Sequence, residues 1–327
     1  GDVYKRQPYF RSPWIGPEVL ELWRETNSSG AILRLDWFLA QTSVDPGYSE
    51  FLKLPGTVAE VEQVFAVQRK DAERLAVNAA GAVVESIVAL SNRRLERLPT
   101  LTGYWWQSYD FAAGAGPRNV LENLLEIKPD GGEYIWSLPN GLQAYYVSNG
   151  QGKQVAEVPP NIAQDSRTAA RQKTVRNARS CVGCHANGLN PFRDVVAGML
   201  DAGTVDVRSY DGERAERVRE LYSGAQLAAQ LEADNRNYAA AVETCTGTGP
   251  AVVAASYERA LVVYEAPVNL EVAAAEIGCT AAALTAAART TYAGTLLALA
   301  AGQRIGRDQW EAAFPVAAVS VQQGLKP

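Results

Sequence analysis

The chain has 327 residues, 47% of them hydrophobic, with four cysteines and one histidine. That length allows a sizeable core and two or three compact units without reliance on many crosslinks. Lys plus Arg count 31 against 36 Asp plus Glu, a formal net charge of −5. This balance disfavours nucleic acid or an anionic membrane as the main partner, and no apolar run reaches the length of a membrane span.

Taken in order, residues 1–7 stand apart. Asp2 to Gln7 resembles the translation of a transposon-end adaptor used for sequencing libraries, so the stretch is set aside from fold reasoning and the native start is expected upstream of Pro8. Pro17 and Glu18 suit the first turn of a helix whose apolar side is Val19, Leu20, Leu22 and Trp23. A second apolar stretch, Ile32 to Leu39, carries Trp37 and Phe38, which are expected in the core. Thr57 and Glu60 form a capping box ahead of Val58, Val61, Val64 and Phe65, a helical face.

From Ala82 the composition turns β-rich, and the arginine-bearing stretch Leu90 to Leu98 ends at Pro99. Tyr104 to Phe111 reads as a strand with large aromatics on both faces. Gly132 to Leu138 and Leu142 to Val147, joined through Asn140-Gly141, read as a hairpin with a type I′ turn, and Lys153 to Val158 would extend it to a three-stranded meander. Pro159-Pro160 then opens a polar linker with Arg167, Arg171, Lys173, Arg176 and Arg179 and no acid between Asp165 and Asp194. Such a run suits haem propionates or an acidic redox partner, and equally a solvated linker.

The linker leads into Cys181-Val182-Gly183-Cys184-His185, the C-x-x-C-H pattern of c-type haem attachment. Each thiol can add across one porphyrin vinyl group while the imidazole of the next residue reaches the iron from one side. With so few cysteines and a single histidine, chance produces this arrangement with odds on the order of 10⁻⁴. Three other readings compete: a thioredoxin-like redox pair, which would need a preceding buried strand; a zinc site, which would need a second close cysteine pair; and a buried histidine beside inert thiols. The composition points to the iron: one haem c, with Cys181 and Cys184 as tethers and His185 as proximal ligand.

Beyond His185, Val195 to Leu200 reads as a short apolar helix ending near Met199, the only methionine and the candidate sixth ligand. Methionine in such a run is also ordinary core filler. The remainder turns helical: Glu213 to Tyr222, Ala225 to Cys245, then about 252–265, 268–276, 280–300 and 307–318, rich in closely packing alanine. Cys245 and Cys279 are expected to pair as a disulfide in an oxidising compartment.

The runs Ser91 to Arg94, Gly103 to Phe111, Gly131-Gly132-Glu133, Leu138 to Gln143 and Ser180 to Gly188 together resemble a set of exported mono-haem cytochrome c-like proteins of planctomycetes and related environmental bacteria. The resemblance covers most of residues 80–325. It implies a covalent haem within a larger exported protein, with electron transfer the usual inference, and carries over only Cys181, Cys184 and His185.

The reading is thus an α+β, mostly α protein: an N-terminal α+β region over 8–165 containing the meander, a haem-binding segment over 166–205 and a C-terminal helical region over 206–327. It is expected in the periplasm or otherwise exported, passing single electrons to a redox partner protein. Two alternatives stay open. One is a haem with an open distal site that binds a small ligand or reduces peroxide. The other is an extracellular glycan-binding protein with an accessory haem, using Trp105, Trp106, Trp136 and Tyr145.

Overall fold

A five-stranded antiparallel meander forms the middle of the computed structural model, with helices on both faces and a helical C-terminal region. The structure describes residues 34–324 except 76, 85, 87, 115–119, 122, 166–172, 205–209 and 292. The strands are β1 (Ala79–Val83), β2 (Arg93–Pro99), β3 (Tyr104–Tyr109), β4 (Gly131–Ser137) and β5 (Gln143–Asn149), in sequential spatial order. The architecture is α+β and mostly α.

Alternation along the strands sorts the aromatics to two cores. Trp105 pairs with Trp136 in register, their rings 5.1 Å apart. With Leu98, Ala144 and Tyr146 they bury against α3 (Val58–Val64) and α4 (Arg69–Arg74) through Val61 and Ala72. The capping box forms as expected, the Thr57 hydroxyl accepting from the Glu60 backbone N–H and donating to its carboxylate at 2.7 Å. Before these lie α1 (Leu35–Thr42) and α2 (Gly47–Leu52). The opposite sheet face turns Tyr104, Trp106, Tyr145 and Val147 toward the segments that follow the sheet.

Those segments are α5 (Arg179–His185), α6 (Val195–Asp201), α7 (Gly212–Leu221) and the 23-residue α8 (Gly224–Thr246). The chain continues through α9 (Pro250–Tyr264), α10 (Leu270–Ile277), α11 (Ala281–Thr291), α12 (Gly294–Ala300) and α13 (Arg307–Gly324). Trp310, Leu284, Leu296 and Leu299 share a cluster with buried Ala273, Ala274, Ala287, Ala288 and Ala317, where small side chains let the helices approach closely. Asp234 of α8 ties this region to the sheet. Its carboxylate accepts from Arg97 at 3.1 and 3.2 Å and from the Trp106 indole at 2.8 Å.

Several expectations are corrected. Lys153 to Val158 is not a third hairpin strand; it makes only isolated bridges, Thr57 to Lys153 and Ser148 to Gln154 among them, and the meander is completed upstream by β1 to β3. The β4–β5 turn is not type I′, because only Gly141 takes a positive φ, +82°. Pro139 fixes a negative φ, so the chain makes a three-residue loop closed by a Leu138 N–H to Leu142 carbonyl bond of 2.7 Å. Trp37 is 42% exposed rather than core. The stretch expected as one helix over 280–300 is two, α11 and α12. The helix expected at Pro17 to Trp23 lies outside the described residues. Among the described residues no single helix is long and apolar enough to cross a membrane.

Candidate functional site

Helix α5 carries the whole motif. Cys184 and His185 stand three and four residues beyond Cys181, so the helical repeat brings all three to one side. They line a single cavity of about 40 Å³ whose walls include Glu133 and Ile135 of β4 and Asn190.

Cys181 is buried, 8% exposed, among Tyr145, Val147, Val175 and Ala178. Burial, reinforced by the Glu133 charge, pushes its thiol well above the ordinary cysteine range. A thioredoxin-like pair needs the reverse at its attacking thiol, and buried Cys181 does not supply it.

His185 is oriented by the loop behind it. Its Nδ1 lies 3.2 Å from the Gly188 carbonyl oxygen. A carbonyl only accepts, so this contact favours the proton on Nδ1 and makes Nε2 the nitrogen that could ligate a metal. Helix α8 holds that loop. Asn235 accepts from the Leu189 N–H at 2.7 Å and donates to the Leu189 carbonyl at 2.9 Å, while the Tyr238 hydroxyl donates to the Ala186 carbonyl at 3.0 Å. Gly188 sits at φ +109°, where an added Cβ would meet Asn235 Oδ1 at 2.5 Å. Asn190 donates to the Cys184 carbonyl at 3.3 Å. Asn235 and Tyr238 did not emerge from motif reading. Their signal is a pair of polar residues, Asp234 and Asn235, interrupting the apolar series Leu227, Leu231, Tyr238 and Val242 on α8.

Beside the cavity, Glu133 forms an ion pair with Arg93 at 2.8 Å, and Arg93 pairs with buried Asp110 at 2.7 Å. Burial first, opposed by Arg93 and reinforced by Glu133, raises the Asp110 carboxyl above its usual range.

Other predicted residues fall elsewhere. Met199 lies on α6, half-buried, and does not line the His185 cavity. The reason is topological: α6 packs on β1 through Val196 and its neighbours, whereas Cys181 packs beside β5, at the other edge of the sheet. Cys245 and Cys279, expected to pair, are both free thiols. Cys245 is exposed on the last turn of α8, and Cys279 packs against the C-terminal cluster. Trp105, Trp106, Trp136 and Tyr145 are all buried, 5% exposed or less, which overturns their reading as a glycan-binding surface. Of the linker arginines, Arg176 pairs with Glu157 and Arg179 with Glu265, each at 3.0 Å, and Arg167 and Arg171 lie outside the described residues. Among the described residues no group of three or more His, Cys, Asp or Glu side chains assembles a metal site by itself.

The donor set fits a c-type haem: two thiols and an imidazole of the correct tautomer around one cavity. The volume does not admit a porphyrin as it stands, since sites for such groups run to several hundred Å³ and this one encloses about 40 Å³. A haem there would require the walls contributed by β4, Asp165, Val175 and residues 180–190 to part.

No protein-family model, curated protein or solved structure matches this chain.

Proposed function

We propose that the chain is a mono-haem c-type cytochrome exchanging single electrons with a protein partner outside the cytoplasm. The observation that carries this reading is the Nδ1 contact of His185 with the Gly188 carbonyl, within a motif whose two thiols share its cavity. Once attached, the haem supplies a one-electron iron couple. The chain's own residues do the positioning. Cys181 anchors from within the core, Cys184 from its edge, and Asn235 and Tyr238 fix the loop on which the imidazole depends. Export follows from the chemistry, because bacterial attachment of haem to cysteine takes place outside the cytoplasm, and the resemblance of residues 80–325 to exported mono-haem proteins supports the same address.

A second reading is favoured by one observation, the absence of Met199 from the cavity. With a single histidine in the chain, an iron held by His185 would then keep an exchangeable sixth position open to a small ligand or peroxide. The ferrous absorption spectrum, recorded with and without carbon monoxide on protein matured in a haem-attaching periplasm, separates the two. A low-spin spectrum unmoved by the gas supports two strong ligands and electron transfer. A high-spin spectrum that shifts supports the open site.

A further inference from the structure

A second cavity, of about 290 Å³, lies among α1, α9, α10 and α13, and none of the haem-motif residues lines it. Its walls bring together groups that recognition of a specific class of ligand would need.

Each charged group in the walls already has a partner. Arg34 and Arg307 face Glu276 and Glu311, and Arg34 also pairs with Asp36 at 2.8 Å. Glu276 accepts from Arg34 at 2.9 Å, from Arg307 at 2.8 and 2.9 Å, and from the Trp310 indole at 2.7 Å. Burial pushes its carboxyl up, but these donors outweigh burial and hold it below the usual range, so it stays ionised. Glu311 accepts from the Tyr264 hydroxyl, and the Arg307 guanidinium lies 4.4 Å over the Tyr264 ring. An anion would have to draw a guanidinium away from Glu276. A cation would meet two guanidiniums. A site whose charged groups are already partnered suits a neutral molecule.

Aromatic surface is available to it. Trp37 and Phe314, both lining the cavity, are 42% and 36% exposed, and Phe314 packs edge-on against buried Trp310 at 5.8 Å. Exposed indole and phenyl faces at a cavity offer contact to the C–H face of a ring, while carboxylate, guanidinium and amide groups around them, Gln41 included, match hydroxyls that both donate and accept. The volume sits at the lower edge of small-ligand sites.

We propose that this cavity binds a neutral pyranose sugar, stacked on Trp37 and Phe314 and hydrogen-bonded through Arg34, Gln41 and Glu311. The site is independent of the haem reading and of the buried hairpin aromatics.

The test titrates the full chain with D-glucose, D-galactose, N-acetylglucosamine and their β-1,4-linked dimers, read by tryptophan fluorescence and calorimetry, with benzoate and tetramethylammonium as charged comparisons. The expected result is saturable binding of at least one neutral sugar, weakened about tenfold or more in Trp37→Ala. Phe314→Ala should weaken it similarly, and both side chains are exposed enough for the variants to keep the parent melting temperature. No saturable sugar binding, preference for either charged compound, or sugar binding unchanged in both variants would overturn the proposal.

Discussion

An imidazole ligates a metal through an unprotonated nitrogen, and the contact of His185 Nδ1 with the Gly188 carbonyl makes Nε2 the candidate for that role. That carbonyl depends on a glycine at φ +109° and on Asn235 clamping the next residue. Gly188→Ala combines a disfavoured backbone angle with a contact too short for carbon and oxygen, and should cost about 1–3 kcal/mol in chemical denaturation. Asn235→Ala strands the N–H and C=O of buried Leu189, for a loss of about 1–3 kcal/mol. Asn235→Asp, keeping the acceptor, should lose less. The candidate motif was legible because Cys181, Cys184 and His185 fall within five consecutive residues. Asn235 was not, because its partner lies 46 residues away and nothing in local sequence announces a helix residue that bonds to a distant loop. Met199, close to His185 in sequence, packs on α6 beside β1 and does not line the cavity in this structure.

At the level of elements, α8 must be registered against the sheet for that clamp to work, and Asp234 supplies the register. Its carboxylate is buried, 3% exposed, and shared between Arg97 and the Trp106 indole. Removing it leaves Arg97 uncompensated, so Asp234→Ala should destabilise the protein by about 3–5 kcal/mol, measured by urea unfolding, and Asp234→Asn by less. The β4–β5 hairpin and the aromatic strand before it could be read from alternation and from Asn140-Gly141. The sheet's first strand could not: Ala79–Val83 carries no large residue, because β1 is crossed closely by other segments. A Cβ at Gly81 would stand 2.7 Å from Leu227 and 3.0 Å from Phe192. The expected strand at 153–158 failed for the converse reason, since β5 has β4 on one side and meets that segment only at single bridges.

Across the whole molecule, the sheet buries charge as well as aromatics. Glu96, 2% exposed, accepts from Asn78 at 2.8 Å and lies 3.2 Å from Arg94. Burial alone would raise its carboxyl, but Arg94, the Tyr109 hydroxyl, Arg69 and Asn78 together hold it below the ordinary value. A carboxyl depressed in the folded state stabilises fully above its unfolded pKa, about 4.3, and that contribution disappears as pH falls through the lower folded value. The melting temperature should therefore fall below about pH 4, and Glu96→Gln should flatten this part of the profile. A profile as steep in the variant as in the parent would place acid sensitivity elsewhere. The proposed function itself rests on a covalent haem. The most direct measurement is haem retention after full denaturation, by peroxidase staining of a denaturing gel and intact mass, on protein expressed in a periplasm with haem-attachment machinery. One haem per chain is expected in the parent and none in the Cys181→Ser, Cys184→Ser double variant. A parent chain that releases all its haem on denaturation, or never acquires any, would contradict it.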